Sequence, residues 1–346
     1  MLGVTIDASV IAVPPSACSA DDAHKYVETL MDWRSLLDEP WVAIRMSGRA
    51  AEALAESGLY PLRPALSDLF RKFGIGEYSV NDVARLAENL LTITPHFEDY
   101  YSLHDVLAEP LETDPHIAVL SVHESLQTDL ARCIVLMAIL RAHCQQPPAG
   151  HSLILRSSPK PSIRVRAQIH ALEHERNDIQ ALPKSPAYFE GEVLACDDFK
   201  GLVQILNESA ILMAAVDNLG AELAIRIALF KDRLADGEEA EWANSESLSV
   251  GHCFLETCQQ CCRDRGDLLP PKILRAIVET LRGKKLADVH PLRVGEGGNA
   301  PQRMRGKDRA QRRDIDYDFH LHYWECEDGS VELGSVVHHN DFSIPE

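Results

Sequence analysis

Two sets of residues in this chain have the types and spacing that phosphodiester chemistry uses. Asp7, Glu52 and Asp129 are acids placed at the ends of strand-like segments or early in helix-like ones across the N-terminal half. Carboxylates that converge can hold Mg2+ or Mn2+, because hard cations take oxygen ligands and a bound metal activates water and steadies a leaving oxygen. Each acid also has a plain structural reading: Asp7 ends a strand, Glu52 is a solvated helix carboxylate beside Glu56, and Asp129 lies on the outward stripe of its helix. Burial separates the two readings, since buried acids need a partner or a metal.

The second set is C-terminal. His320 and His322 fall on one face of a strand, with Trp324 beyond them, because side chains alternate in direction. His338, His339, Asn340 and Asp341 follow the next strand, and His290, Arg293, Arg303, Arg305, Arg309, Arg312 and Arg313 precede the pair. Imidazoles near neutrality can act as acid and base while guanidiniums hold phosphate, which is what RNA cleavage without a metal requires. Tyr317, Tyr323 and Trp324 can stack on unpaired bases. Against this, arginines paired with Asp308, Asp314 and Asp316 form an ion-pair network and nothing more.

Charge favours a polyanionic partner. The stretch from Arg282 to Arg313 carries ten Lys or Arg and three acids within a chain of net charge −19, so about −26 belongs to everything else. Local cations that displace counterions from phosphates are what nucleic-acid binding needs. The alternative is a basic loop docked on the protein's own acidic surface. No apolar run is long enough to span a bilayer and no basic region precedes an apolar stretch at the N-terminus, so the expectation is a cytoplasmic protein without a membrane partner.

The elements that must position these groups read as two kinds. Val4 to Ile6, Trp41 to Met46, Ile117 to Val122 and Ser152 to Arg156 are strand-like, and they alternate with helical patterns from Ser19, from Ser47, over Pro64 to Phe73, Asn81 to Leu91 and His123 to Cys144. The predicted fold is therefore an α/β N-terminal domain with a parallel sheet. In such sheets functional groups gather at the carboxyl ends of the strands, where Asp7 and Ser47 lie. Ser162 to His170 alternates apolar with basic or polar residues, as a strand does. Asp198 to Arg282 reads as mainly helical, with Leu223 to Leu229 equally compatible with a strand. Arg293 to Arg313 reads as a loop, with a short helix over Lys307 to Arg313. Phe319 to Val337 reads as a hairpin turned at Asp328-Gly329.

Nine cysteines scattered through helical patterns do not make a disulfide framework. Cys253, Cys258, Cys261 and Cys262 match part of an iron–sulfur loop in spacing, but the segment between them has no Gly or Pro to bend it, and helical steps of three and four make the thiols core residues.

The opening Val4-Thr5-Ile6-Asp7-Ala8-Ser9-Val10, with the order strand, helix, strand, helices, strand, helix, strand over residues 1 to 160, resembles a PIN-like nuclease domain. The resemblance implies a second acid at Glu52, a third at Asp129 and Mg2+ or Mn2+ between them. Leu153-Ile154-Leu155-Arg156-Ser157-Ser158 departs from the family, which usually carries an Asp there. Three regions are expected: an α/β PIN-like domain over 1–160, a mainly helical region over 161–283, and a basic loop with a β-hairpin over 284–346, the last two forming an α+β part. The expected function is a metal-dependent ribonuclease-like phosphodiesterase acting on RNA or single-stranded nucleic acid. The alternative is a non-catalytic subunit that binds nucleic acid or a protein partner.

Overall fold

The computed structural model describes residues 2–144, 151–177, 179, 186–238, 242, 248–295 and 300–345, with the side chains of residues 264 and 267 left aside. The Pro147, Pro148 and Gly150 breaker and the glycines at 297 and 298 lie outside the described residues. The chain divides into two compact units, Met1–Ile205 and Leu206–Glu346, so the first unit extends well past residue 160. None of the described helices is long and apolar enough to cross a membrane.

The first unit is built on a six-stranded mixed sheet in the order β2-β1-β4-β6-β5-β3. β1 (Leu2–Ile6) runs parallel to β2 (Val42–Met46) and to β4 (Ser152–Ile154), and β4 runs parallel to β6 (Ala187–Cys196). β5 (Ser162–His174) and β3 (Leu103–Asp114) close the other side antiparallel. The sheet is thus parallel only in part. β1 and β4 are wholly buried, as strands covered on both faces are. The helix Gln127–His143 packs into the same core, with eleven of its residues buried, Leu130 and Ile134 to Leu140 among them.

The segment Ile117 to Val122, which has the composition of a strand, instead begins with a one-turn helix Ile117–Leu120 capped by the His116 side chain. Its four apolar residues satisfy either structure, and His116 accepting the Ala118 N–H at 3.2 Å supplies the helix cap. The sheet's place there is taken by β3, whose polar alternating residues carry little apolar signal.

The second unit packs helices against a six-stranded sheet, five strands in the order β7-β12-β11-β10-β8 and the sixth, β9 (Met304–Arg305), paired to β10. β7 is Leu248–Val250, β8 Val289–Pro291, β10 Asp308–Asp314, β11 Phe319–Glu325 and β12 Val331–His338. The hairpin β11–β12 turns at Gly329, whose φ of 84° suits glycine. The expected short helix over Lys307 to Arg313 is instead strand β10 from Asp308 on, because its backbone pairs with β11 on one side and β8 on the other, with Ala310 buried on one face and Arg313 on the other. Leu223 to Leu229 falls within the helix Asn218–Ala235.

Cys258, Cys261 and Cys262 lie on the helix Phe254–Arg265 and pack into the core of this unit with Ile273, Phe319 and Leu321. Among the described residues, no group of His, Cys, Asp or Glu is placed to hold a metal ion.

Candidate functional sites

In the first unit, a polar cluster forms where β1 and β2 end. Asp7 follows β1 and caps the one-turn helix Ala8–Ile11, its Oδ2 accepting the Ser9 N–H at 2.8 Å. It is 4% exposed, and burial pushes its carboxyl up to about 6, with the charge of Asp129 adding in the same direction. Asp129 sits in the first turn of Gln127–His143. Its Oδ1 accepts from Ser47 Oγ at 2.9 Å and from Arg132 Nη2 at 3.0 Å, while its Oδ2 is buried without a hydrogen-bond partner.

The third carboxylate is Glu98, on the short helix Phe97–Tyr101, and its Oε2 accepts the Gly48 N–H at 2.9 Å. Glu52, expected at this point, is exposed on the helix Ala50–Glu56. Glu98 escaped the sequence reading because its helix spans only five residues, too few to show a period. Its flanking Phe97 and Tyr101, both buried, are the signal that could have found it.

Arg132 closes the cluster. Its Nη2 donates to Glu98 Oε1, to Asp129 Oδ1 and, at 2.8 Å, to Ser47 Oγ, while Nη1 reaches the His104 carbonyl at 3.0 Å. A guanidinium takes the oxygens that a divalent ion would need. After β4 comes Arg156, whose guanidinium donates to the Ala12 carbonyl and lies 5.4 Å from the centre of the Tyr26 ring. The residues present therefore do not fit Mg2+ or Mn2+, and the arrangement is a carboxylate cluster neutralised by arginine.

In the second unit, the β-sheet register assembles the histidines. His290 on β8 lies opposite Arg312 on β10, Arg312 opposite His322 on β11, and His322 opposite Ser335 on β12. Directly opposed residues share a face, so these four form one row. The next row holds Asp314 and His320, which pair across β10 and β11. Asp314 faces two imidazoles, with His320 Nε2 at 3.1 Å and His290 Nε2 at 3.9 Å. The His320 and His322 rings are 6.3 Å apart and nearly parallel at 28°.

His322 is fully buried, its Nδ1 2.7 Å from the Ser343 carbonyl, and its Nε2 has no partner. His320 Nδ1, Arg312 Nε and Ser335 Oγ are likewise buried without partners. Burial pushes both imidazoles down, His322 to about 4, and the Arg312 charge pushes them further in the same direction. With its hydrogen on Nε2, donated to Asp314, His320 offers a free lone pair on Nδ1.

The arginines sort sharply. Arg313 is 1% exposed and bonds Glu279 Oε2 at 3.2 Å and the Lys284 carbonyl at 2.6 Å, so it belongs to the interior. Trp324, also buried, donates to the Pro345 carbonyl at 3.0 Å and is no stacking platform. Arg305 grips Glu332 with two bonds of 2.7 and 2.9 Å and reaches Asp308, and Arg309 pairs with Glu325 at 3.1 Å. Arg293 donates to the Ala300 carbonyl and Arg303 to the Phe342 carbonyl. Arg312 alone of the predicted phosphate-binding set lies on the histidine face, and among the described residues it pairs with no carboxylate. Of the six arginines, Arg305, Arg309 and Arg313 pair with carboxylates, Arg293 and Arg303 bond carbonyls, and Arg312 faces the histidines.

Comparison with known proteins adds no constraint: no family, no curated protein and no solved structure matches the chain.

Proposed function

We propose that this chain binds RNA and cleaves it without a metal, at the histidine face of the second unit. The observation that carries the reading is Arg312: a half-buried guanidinium without a carboxylate, flanked by His290 and His322 across two strand pairs, with His320 and Asp314 in the next row. An unpaired cation in such a setting favours a phosphate. His320, held by Asp314, accepts the 2′-hydroxyl proton on Nδ1 as the 2′-oxygen attacks phosphorus, a step that requires RNA binding to uncover this buried nitrogen. His290, the more exposed imidazole beside the same carboxylate, gives a proton to the departing 5′-oxygen. The bond from phosphorus to the 5′-oxygen breaks, a 2′,3′-cyclic phosphate forms, and Arg312 offsets the charge that builds on phosphorus oxygens. His322, deeper and tied to Ser343, positions the row.

The test uses labelled single-stranded RNA and DNA with EDTA or Mn2+ at low and moderate salt. RNA cleavage that survives EDTA, spares DNA for want of a 2′-hydroxyl, and is lost in His320→Ala and Arg312→Ala supports the reading. Cleavage lost in EDTA would move the chemistry to Asp7 and Asp129 and return the PIN-like proposal. A second reading, a non-catalytic subunit, draws support from the pairing of Arg305, Arg309 and Arg313 with acids of their own unit. It predicts salt-sensitive binding without turnover.

A further inference from the structure

The first unit contains a cavity of about 480 Å³ outside the carboxyl ends of β1, β4 and β6. That volume is within the range of small-molecule sites. Its position is informative. β1 connects onward to β2 on one side, whereas its other neighbour, β4, connects through β5 to β6 on the opposite side. The two connections diverge between β1 and β4 and open a crevice there, the place where sheets of this kind bind ligands. The walls come from the one-turn helix after β1 (Val10) and the loop beyond it (Pro14, Cys18), the helix Ala20–Leu36 (Lys25, Tyr26) and Arg156 just after β4.

The polar groups in these walls leave one cation, Arg156, without a directly bonded carboxylate, although the charges of Asp7 and Asp22 act on it from a distance. Asp22 accepts from the Ser19 N–H and hydroxyl at 2.9 and 2.8 Å, both on Oδ2, which ties that oxygen into the helix cap. Asp197 faces Lys25 at 3.9 Å. Arg156 bonds only carbonyls through Nη2, its Nη1 is buried without a partner, and among the described residues it forms no ion pair with a carboxylate. A guanidinium so placed, with Lys25 and the Ser157 and Thr29 hydroxyls in the same cavity, matches the charge and the donor set that a terminal phosphate takes. The Tyr26 ring and Val10, Pro14 and Val122 supply an apolar wall for an organic body.

We propose that this cavity binds a small phosphomonoester of nucleoside size, with its phosphate on Arg156 and Lys25. The site lies wholly in the first unit and does not depend on the histidine face, so either proposal can fail alone.

The experiment is calorimetric titration of the whole chain with nucleoside 5′-monophosphates, inorganic phosphate, unphosphorylated nucleosides and small dicarboxylates. The expected result is binding by the monophosphates at least tenfold tighter than by the matching nucleosides, and a loss of at least tenfold in Arg156→Met. Because Arg156 also holds the loop after β1, Ala17→Trp is the second variant: Ala17 is exposed and lines the cavity, so a bulky ring there blocks it without touching Arg156. Nucleosides binding as well as their monophosphates, dicarboxylates binding better, unchanged affinity in Ala17→Trp, or no binding at millimolar concentration would each overturn the proposal.

Discussion

Replacing Asp7 by Asn should stabilise the first unit at neutral pH. Asp7 is 4% exposed, accepts hydrogen bonds from Ser9 and Ala8 that offset its burial only in part, and has no cation bonded to it. Its carboxyl is raised from 3.8 to about 6 by burial first and by Asp129 in part. The sign follows from proton binding. Between about pH 4 and 6 the folded chain holds this proton and the unfolded chain does not, so stability falls as pH rises through that window and the cost is complete above it. A shift of about two units corresponds to roughly 3 kcal/mol, taken as an order of magnitude.

Asn keeps an oxygen for the Ser9 N–H and carries no charge to desolvate. The Asn variant should therefore gain up to about 3 kcal/mol at pH 7.5, or roughly 6 to 12 °C in melting temperature for a domain of this size. It should also lose most of the wild-type dependence between pH 4 and 6. Urea unfolding at pH 4.5, 6.0 and 7.5, followed by tryptophan fluorescence, measures both. A variant less stable than wild type at pH 7.5, with the same slope, would refute the reasoning and show that the Asp7 charge is compensated in the fold.

Removing the other side of that cluster should do the reverse: Arg132→Met leaves Glu98 and Asp129 buried and uncompensated, at a cost of about 3 to 5 kcal/mol, and Glu98→Gln in the same chain should recover part of it in the same urea assay. His322→Gln should flatten the acid side of the second unit's stability. Burial lowers this imidazole from 6.5 to about 4, so wild-type stability from this group is full above 6.5 and is lost as pH falls toward 4, opposite in sign to Asp7. Gly334→Ala should cost about 1 to 3 kcal/mol, since an added Cβ would sit 2.8 Å from Ile344 Cγ1, and Ile344→Val should not relieve it, because Cγ1 stays in place while Ile344→Ala should.

The sequence made some of this architecture readable and hid the rest for identifiable reasons. β1, β2 and β4 announce themselves as short apolar runs, and the hairpin through its Asp-Gly turn and alternating residues. β3 and the outer half of β5 are half-exposed and polar, so no periodic apolar signal marks them, and the antiparallel side of the sheet was missed with them. Asp7 and Asp129 were found because strand ends and first helical turns are readable positions. Glu98 was not, because its place is set by a contact to Gly48, fifty residues away in sequence. The same limit applies to Arg132. Spacing shows that it lies one turn from Asp129, and nothing in the spacing shows that it also reaches Ser47 and Glu98.

Charge shows how far sequence segregation can differ from segregation in space. The run from Arg282 to Arg313 is basic as a string, yet Arg282 and Lys284 meet Asp232 and Asp236, Lys285 and Arg313 meet Glu279, Arg305 meets Glu332, Lys307 meets Glu327 and Arg309 meets Glu325. The helix Asn218–Ala235 with its cap Asp236, the helix Leu269–Leu281, and the β11–β12 hairpin with its turn return the acids that the basic run lacks. Exposed pairs of this kind add little to stability, but they remove the free cations that a phosphate backbone would displace counterions to reach. Arg293 and Arg303 bond carbonyls, and Arg312, on the histidine face, is kept from carboxylates because the strands beside it present His290 and His322 in the positions where acids would neutralise it. A guanidinium left unpaired among imidazoles, in a segment where its neighbours are paired, is the feature that directs attention to this face.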